Sequence, residues 1–110
     1  MQKKLTILQI NDTHSYLELH NELFYEKDKL AFRKAGGFAR LQSLIKDFRS
    51  KNPTLVFDNG DTIHGTYEAI ATKGWHLLPG LNEVGFDATT FPWDTGCGPD
   101  NLKQIGKQLD

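Results

Sequence analysis

The sequence contains very little cysteine, because Cys97 is the only one among its 110 residues. A single thiol cannot form an intrachain disulfide, and it cannot build a zinc site that depends on several cysteines. This cysteine usage fits a reducing compartment. Cys97 also has no histidine close to it in the sequence, so we interpret it as an inert thiol.

The sequence also lacks long apolar runs and any marked excess of charge. No stretch approaches the roughly 20 apolar residues that a transmembrane helix needs. The apolar residues between Lys4 and Asn11 are too few for the apolar region of a signal peptide. The formal net charge of −1 gives no reason to expect a nucleic acid or a membrane surface as a partner. We therefore predict a globular protein of the cytoplasm.

Strand-like and helix-like patterns alternate along the chain. The strand-like runs cover residues 4–10, 54–58 and 86–90. The helix-like patterns cover residues 36–52, 67–71, 76–83 and 98–109. Residues 11–32 mix charges with scattered apolar residues and are predicted to form a long loop. This alternation predicts an α/β fold with a mostly parallel sheet and flanking helices.

The outer strands of this predicted sheet have no predicted partner. We therefore expect residues 1–110 to be the N-terminal portion of a larger domain, incomplete by itself. An unpaired strand edge and an uncovered apolar sheet face favour association between chains. A homo-oligomer that forms through the exposed sheet edge is thus a further prediction.

The first candidate site follows the first strand. Asp12 and His14 stand two residues apart, so their side chains project to the same side if the backbone stays extended. A carboxylate oxygen and an imidazole nitrogen that converge make half a site for a divalent metal. Because short motifs recur by chance, this pattern alone favours the alternative of a turn at Asp12 and a surface histidine.

Another acidic residue follows the neighbouring strand. Asp61 comes directly after Gly60, at the edge of a parallel sheet where ligand sites form. Its two oxygens can bridge two cations, and metals about 3.5–4 Å apart can polarise a phosphoryl group and activate water. The alternative is an acidic turn of the kind that ends many strands. For His64, three residues on, we favour an exposed loop histidine over a spare ligand or a group that supports the ligands.

Three sequence blocks occur in order along the chain. They are Leu8-Gln9-Ile10-Asn11-Asp12-Thr13-His14-Ser15, Gly36-Gly37-Phe38-Ala39-Arg40-Leu41 and Asp58-Asn59-Gly60-Asp61-Thr62-Ile63-His64-Gly65. Together they resemble the 5′-nucleotidase family of calcineurin-like metallophosphoesterases. The resemblance implies a four-layer αββα sandwich with two divalent metals, such as manganese or zinc, at the strand ends. It also implies that Asp12 and His14 bind the first metal, that Asp61 bridges both, and that nucleotides or related phosphate esters are the substrates.

The chain departs from this family pattern at the next block, a Gly-Asn-His-Glu/Asp run. Phe91-Pro92-Trp93-Asp94 occupies that place, and Gly98-Pro99 fixes the register. Pro92 has no side-chain donor or acceptor, so it cannot be the metal ligand that the family has there. The indole of Trp93 cannot replace the family's histidine as a general acid. The family's later histidines would lie beyond Asp110.

The residues that remain, Asp12, His14 and Asp61, would hold at most one metal well. We therefore predict a metal-dependent phosphoesterase of the 5′-nucleotidase type, present here as a truncated and inactive fragment. The alternative is a non-catalytic fragment or degenerate relative that acts through binding or self-association.

Overall fold

The computed structural model describes residues 3–110. Five strands occur along them: β1 (Thr6–Ile10), β2 (His20–Glu26), β3 (Lys29–Ala35), β4 (Thr54–Asp58) and β5 (Ala88–Thr89). Four α-helices accompany the strands: α1 (Phe38–Lys51), α2 (Tyr67–Thr72), α3 (Leu78–Val84) and α4 (Pro99–Gly106).

A parallel sheet with the strand order β1-β4-β5 forms the centre of the fold. β1 pairs with β4 over its full length, from Thr6 opposite Thr54 to Ile10 opposite Asp58. Because the two strands end at the same level, the residues that follow them leave the sheet side by side. This geometry brings two distant parts of the sequence to one edge.

The helices cover one face of this sheet. Eight buried apolar residues make up the core, namely Phe38, Ile45, Val56, Ile63, Leu77, Leu81, Val84 and Ile105. Leu8 and Ile10 of β1 pack against it. Leu5 and Ile7, which alternate with them, are 55% and 60% exposed, because successive side chains of a strand point to opposite faces. The predicted α/β class with a parallel sheet and flanking helices is confirmed. The second sheet among residues 3–110 consists of the two strands β2 and β3.

The prediction of a long loop over residues 11–32 is wrong, because β2 and β3 pair antiparallel as a hairpin with Leu23 opposite Phe32. Lys27 and Asp28 form its turn with φ values of 47° and 62°, and two-residue hairpin turns commonly need such left-handed residues. Most side chains of both strands are exposed. Charged residues therefore occur on both faces of the hairpin and obscure the alternation that predicts a strand.

The other predicted elements are present with shifted ends. The helix expected over residues 76–83 divides into a 3₁₀ turn at Trp75–Leu77 and α3, and the third strand shortens to the two residues of β5. Within residues 3–110, none of the helices combines the length and the apolar character that a membrane crossing requires.

Candidate metal centre

Two loops leave the aligned ends of β1 and β4. The first loop comprises residues 11–15, and the second loop comprises residues 59–65. Backbone hydrogen bonds of 3.0, 3.2 and 2.8 Å join them, from the amides of Asp12, His14 and Ser15 to the carbonyl oxygens of Gly60, Asp61 and Thr62 respectively. The pairing of the two strands thus continues beyond their ends as a ladder between the loops.

All three predicted metal ligands lie in the left-handed backbone region. The φ angle is 57° at Asp12, 49° at His14 and 60° at Asp61. Residues with side chains adopt this region uncommonly, and such residues cluster at functional sites. The backbone therefore does not stay extended through Asp12 and His14, which was the condition under which the sequence placed their side chains on one side. The chain turns at both residues, and their side chains nevertheless reach the same place.

The side chains of Asp12, His14 and Asp61 converge. One oxygen of each carboxylate and one imidazole nitrogen all lie within 4.8 Å of one another. Nε2 of His14 is 3.0 Å from Oδ2 of Asp61 and 3.7 Å from Oδ1 of Asp12. The Asp61 side chain is 20% exposed and that of Asp12 is 56% exposed, so the group opens to solvent on the Asp12 side. A divalent cation could join these three atoms; that it does so stays a prediction.

Asp12 has a second neighbour within the first loop. The side-chain amide of Asn11 donates a hydrogen bond to Oδ2 of Asp12. This bond is the largest cause that lowers the pKa of the Asp12 carboxyl, and the interaction with Asp61 is the next. Asp12 is therefore ionised at neutral pH and offers an anionic oxygen to a cation.

A residue that the sequence reasoning did not interpret holds the second loop in place. Asp94 is 2% exposed and accepts three backbone hydrogen bonds. Its Oδ1 accepts from Thr62 at 2.8 Å and from Ile63 at 2.7 Å, and its Oδ2 accepts from Asp61 at 3.1 Å. Hydrogen bonds to an ionised acceptor are stronger than neutral ones. The available signal was the acidic last position of the Gly-Asn-His-Glu/Asp block, which this chain retains.

A further buried carboxylate stands where β4 passes into the second loop. Asp58 accepts hydrogen bonds from the amide of Gly60 at 3.1 Å and from the hydroxyls of Thr62 and Thr89 at 2.9 and 3.0 Å. Burial raises the pKa of the Asp58 carboxyl, and these hydrogen bonds partly offset that effect. Asp58 therefore ties the start of the second loop to β5.

The altered block lies against the second loop. A Cβ atom at Gly60 would collide with the ring of Pro92 and with the carbonyl oxygen of Thr90, so Pro92 packs directly on the glycine beside Asp61. The side chain of Trp93 is 74% exposed. Neither Pro92 nor Trp93 presents an atom that ligates a metal.

Three buried polar atoms of the two loops have no hydrogen-bond partner among the described residues: Oγ1 of Thr13, Oδ1 of Asp61 and Nε2 of His64. Buried polar groups are normally satisfied, and an exception calls for an ion, a water or a functional role. Nε2 of His64 touches Oδ1 of Asp61, and the side chain is only 34% exposed. The interpretation of His64 as an exposed loop histidine, which the sequence favoured, is thus wrong. Carboxylate oxygens with imidazole nitrogens suit zinc, manganese and similar divalent ions.

A cavity of about 400 Å³ opens beside the three converging side chains. Its lining includes Asp12 and His14, together with Tyr16 and His20. The rings of Tyr16 and His20 stack with their centroids 4.1 Å apart. A space of this size admits a small molecule next to the predicted ligands.

The profile of the family described as calcineurin-like phosphoesterase matches residues 5–107. The chain belongs to this family. The resemblance noted in the sequence is confirmed, and calcineurin-like phosphoesterases use divalent metals. Asp12, His14 and Asp61 therefore converge in a member of a family that uses divalent metal ions.

This phosphoesterase chain is similar to several proteins named as nucleotidases. It is 36% identical to Protein 5NUC of Lutzomyia longipalpis, over 96% of this chain and 24% of that protein. It is 38% identical to the 5′-nucleotidase of Bos taurus, over 77% of this chain and 15% of that protein. The solved structure of the NAD nucleotidase of Haemophilus influenzae matches with a TM-score of 0.84 and 29% identity, over 96% of this chain and 19% of that one. The chain thus spans a quarter or less of the length of these relatives.

Proposed function

We propose that this chain is a metal-dependent phosphoesterase of the 5′-nucleotidase type, which hydrolyses nucleotides or related phosphate esters. In this proposal Asp12, His14 and Asp61 are the metal ligands. The observation that carries it is the convergence of two carboxylates and an imidazole at the ends of two parallel strands, in a calcineurin-like phosphoesterase.

A bound divalent ion supplies positive charge that polarises a phosphoryl group and lowers the pKa of a water molecule. The residues of the chain would bind this ion and fix its position. Asp61, whose amide is held by Asp94, would hold the ion from the less exposed side of the group, and Asp12 would hold it from the side open to solvent. The cavity next to Asp12 and His14 gives a phosphate ester room beside the ion.

The altered block limits the reaction that we propose. Trp93 cannot protonate a leaving group, so residues 1–110 should hydrolyse esters of acidic alcohols, such as a nitrophenyl ester, much faster than ordinary nucleotides. This dependence follows because a weakly basic leaving group departs without a general acid. The truncated and inactive state predicted from the sequence stays a prediction, and we expect the loss of activity to be greater for nucleotides than for activated esters.

Isothermal titration calorimetry with Mn²⁺ tests the proposed ligands. Asp61→Asn suits the left-handed backbone at this position, because asparagine adopts it readily, yet it removes the anionic charge. We expect the affinity for Mn²⁺ to fall by at least about tenfold. Asp28→Asn is the matched control, because Asp28 has a φ of 62° and lies in the hairpin turn. An Asp61→Asn isotherm equal to that of the parent chain would contradict the proposal.

Turnover is the second measurement. The chain is incubated with Mn²⁺ or Zn²⁺ and either a chromogenic phosphodiester or a nucleoside monophosphate. We expect slow hydrolysis of the chromogenic ester that a chelator abolishes and that Asp61→Asn lacks. Equal rates in the parent chain and in Asp61→Asn would mean that the activity does not come from this site.

A second candidate function is binding or self-association without catalysis, which the exposed apolar surface favours. Four large side chains share one face of the hairpin and are 46–74% exposed: Leu23, Tyr25, Leu30 and Phe32.

A second surface open to association is β1, which is an edge strand among the described residues. We propose that its edge pairs with a second copy. Sedimentation velocity should show a dimer that Ile7→Lys disrupts, with Phe32→Lys as the comparison on the hairpin. A monomer at every concentration would exclude self-association.

Three predictions from the sequence remain predictions. They are the cytoplasmic location, the lack of nucleic-acid and membrane partners, and the assignment of residues 1–110 as the N-terminal portion of a larger catalytic domain. Their support is the composition of the chain and the small fraction of its relatives that it spans.

A further inference from the structure

The carboxylate of Asp61 faces a histidine on each side. Its Oδ2 lies 3.0 Å from Nε2 of His14, which belongs to the first loop. Its Oδ1 touches Nε2 of His64, which belongs to the same loop as Asp61 itself. The ring centroids of the two histidines are 5.3 Å apart. Asp61 is thus flanked by two imidazole nitrogens, of which only His14 is part of the three-residue group described above.

The atoms on the second side of Asp61 are buried and lack hydrogen bonds. Oδ1 of Asp61 and Nε2 of His64 both have no hydrogen-bond partner among residues 3–110, although they touch each other. The contact therefore lacks the geometry in which an imidazole N–H donates to a carboxylate. A carboxylate oxygen and an imidazole nitrogen that touch each other without a hydrogen bond are an arrangement that a cation satisfies.

The backbone positions His64 for this role. A Cβ atom at Gly65 would approach Cβ of His14 to 2.9 Å and its carbonyl oxygen to 3.0 Å, so this glycine allows the second loop to lie against the first. The amide of Ile63, next to His64, is held by Asp94 at 2.7 Å. The imidazole of His64 is therefore carried by a segment that is fixed on both sides.

We propose that His64 is a metal ligand of this chain, which binds a divalent ion through Nε2 on the Oδ1 side of Asp61. The ion is of the borderline class that accepts imidazole and carboxylate together, such as Zn²⁺, Mn²⁺ or Co²⁺. This inference rests on the proposed function, because it assumes that Asp61 binds a metal. It adds a nitrogen donor next to Asp61, whereas Pro92, which packs on the adjacent Gly60, offers no side-chain ligand.

The competing role is that of a positioning residue, in which His64 orients the Asp61 carboxylate without bonding to the metal. Loss of such a supporting group also weakens metal binding by about 10–100-fold, so affinity alone does not separate the two roles. A direct readout of the nitrogen–metal bond does.

NMR of the ¹⁵N-histidine-labelled chain loaded with ¹¹³Cd²⁺ provides that readout, because a scalar coupling between ¹¹³Cd and an imidazole nitrogen requires a bond between them. We expect coupling to Nε2 of both His14 and His64. Coupling to His14 without coupling to His64 overturns this inference and leaves the proposed function standing. Coupling to neither histidine overturns both.

Substitution gives an independent test. His64→Gln should reduce the affinity for Co²⁺ at least tenfold and change the visible absorption of the Co²⁺-loaded chain, because one nitrogen donor is lost. His76→Gln is the matched control, since Nε2 of His76 is also buried without a hydrogen bond but has its Nδ1 on Thr72. An absorption spectrum of His64→Gln that equals the parent spectrum would contradict the assignment, whatever the affinity.

Discussion

The two loops that build the candidate metal centre are held in different ways. The second loop rests on side chains, because the buried carboxylates of Asp94 and Asp58 accept hydrogen bonds from its backbone and from Thr62. The first loop rests on the second, because its amides donate to the carbonyl oxygens of residues 60–62. Two side chains of the first loop add to this ladder: the hydroxyl of Ser15 donates to the Thr62 carbonyl at 3.1 Å, and Nε2 of His14 lies 3.0 Å from Oδ2 of Asp61.

This difference implies an order of dependence. Substitutions that remove the hydrogen bonds of Asp94 or Asp58 to the second loop should displace both loops. Substitutions in the first loop should change the structure of that loop alone. The candidate ligands follow the same order, since Asp61 is 20% exposed and Asp12 is 56% exposed. Substitutions should therefore affect stability and metal binding differently in the two loops, and the largest effect is expected where the second loop loses its buried acceptor.

Asp94→Ala should reduce the free energy of unfolding by about 4 kcal/mol, because it leaves three amides of the second loop without an acceptor, two of them buried. Urea denaturation followed by circular dichroism measures this loss. Asp94→Asn keeps one carbonyl oxygen and should lose less. Asp100→Ala, at an exposed position of α4, is the control and should change little. Equal effects of Asp94→Ala and Asp100→Ala would show that Asp94 does not support the loop.

Metal binding should stabilise the chain by about 2.7 kcal/mol when free Zn²⁺ is about 100 times its dissociation constant. A thermal unfolding scan with and without Zn²⁺ measures the gain as a higher melting temperature. Asp61→Asn should abolish most of the gain, and Asp12→Asn should abolish less of it, because Asp12 is the more exposed ligand. A larger loss from Asp12→Asn would reverse the proposed order of the two loops.

Ser15→Ala should cost about 1 kcal/mol, which is well below the effect of Asp94→Ala. The loss stays small because the Thr62 carbonyl still accepts from the Ser15 amide at 2.8 Å. Chemical denaturation is again the measurement. Ser43→Ala, which removes an exposed hydroxyl bonded to the Ala39 carbonyl, is the matched control. A cost equal to that of Asp94→Ala would mean that the first loop supports the second.

The pH dependence of stability should reveal the buried Asp58. Because burial raises its pKa above the ordinary value of 3.8, the folded chain keeps this proton at a pH where the unfolded chain has lost it. The free energy of unfolding should therefore fall as pH rises from the ordinary value through the raised one. Asp58→Asn lacks this titration. The free energy of unfolding of the parent chain should therefore decrease relative to that of the variant as pH rises.

Urea titrations of both chains test this trend. They should span about pH 3.5 to pH 7, which is roughly the window of carboxyl titration. Asp100→Asn serves as the exposed control. A difference between the parent chain and Asp58→Asn that is independent of pH would contradict the raised pKa.

The sequence predicted the central strands and the first helix better than it predicted the connections. β1, α1 and β4 have strong apolar periods, because each buries one face or both, and their positions were predicted to within a few residues. The hairpin of β2 and β3 was missed, because strands that bury little carry no such period. His64 was misplaced as exposed, because nothing in a single sequence shows which loops will lie together.

The residues alone determined the α/β class, the family resemblance and the three predicted ligands, Asp12, His14 and Asp61. Those features depend on local spacing and on residue chemistry, which a sequence displays directly. Only the tertiary structure decided that the candidate ligands lie in left-handed backbone, that Asp94 holds the second loop and that His64 touches Asp61. Asp94 reaches residues 61–63 across about thirty positions of the chain, and the parallel register of β1 and β4 brings the first loop to the second. His64 is only three residues from Asp61, but their contact depends on how the second loop turns, which the tertiary contacts fix.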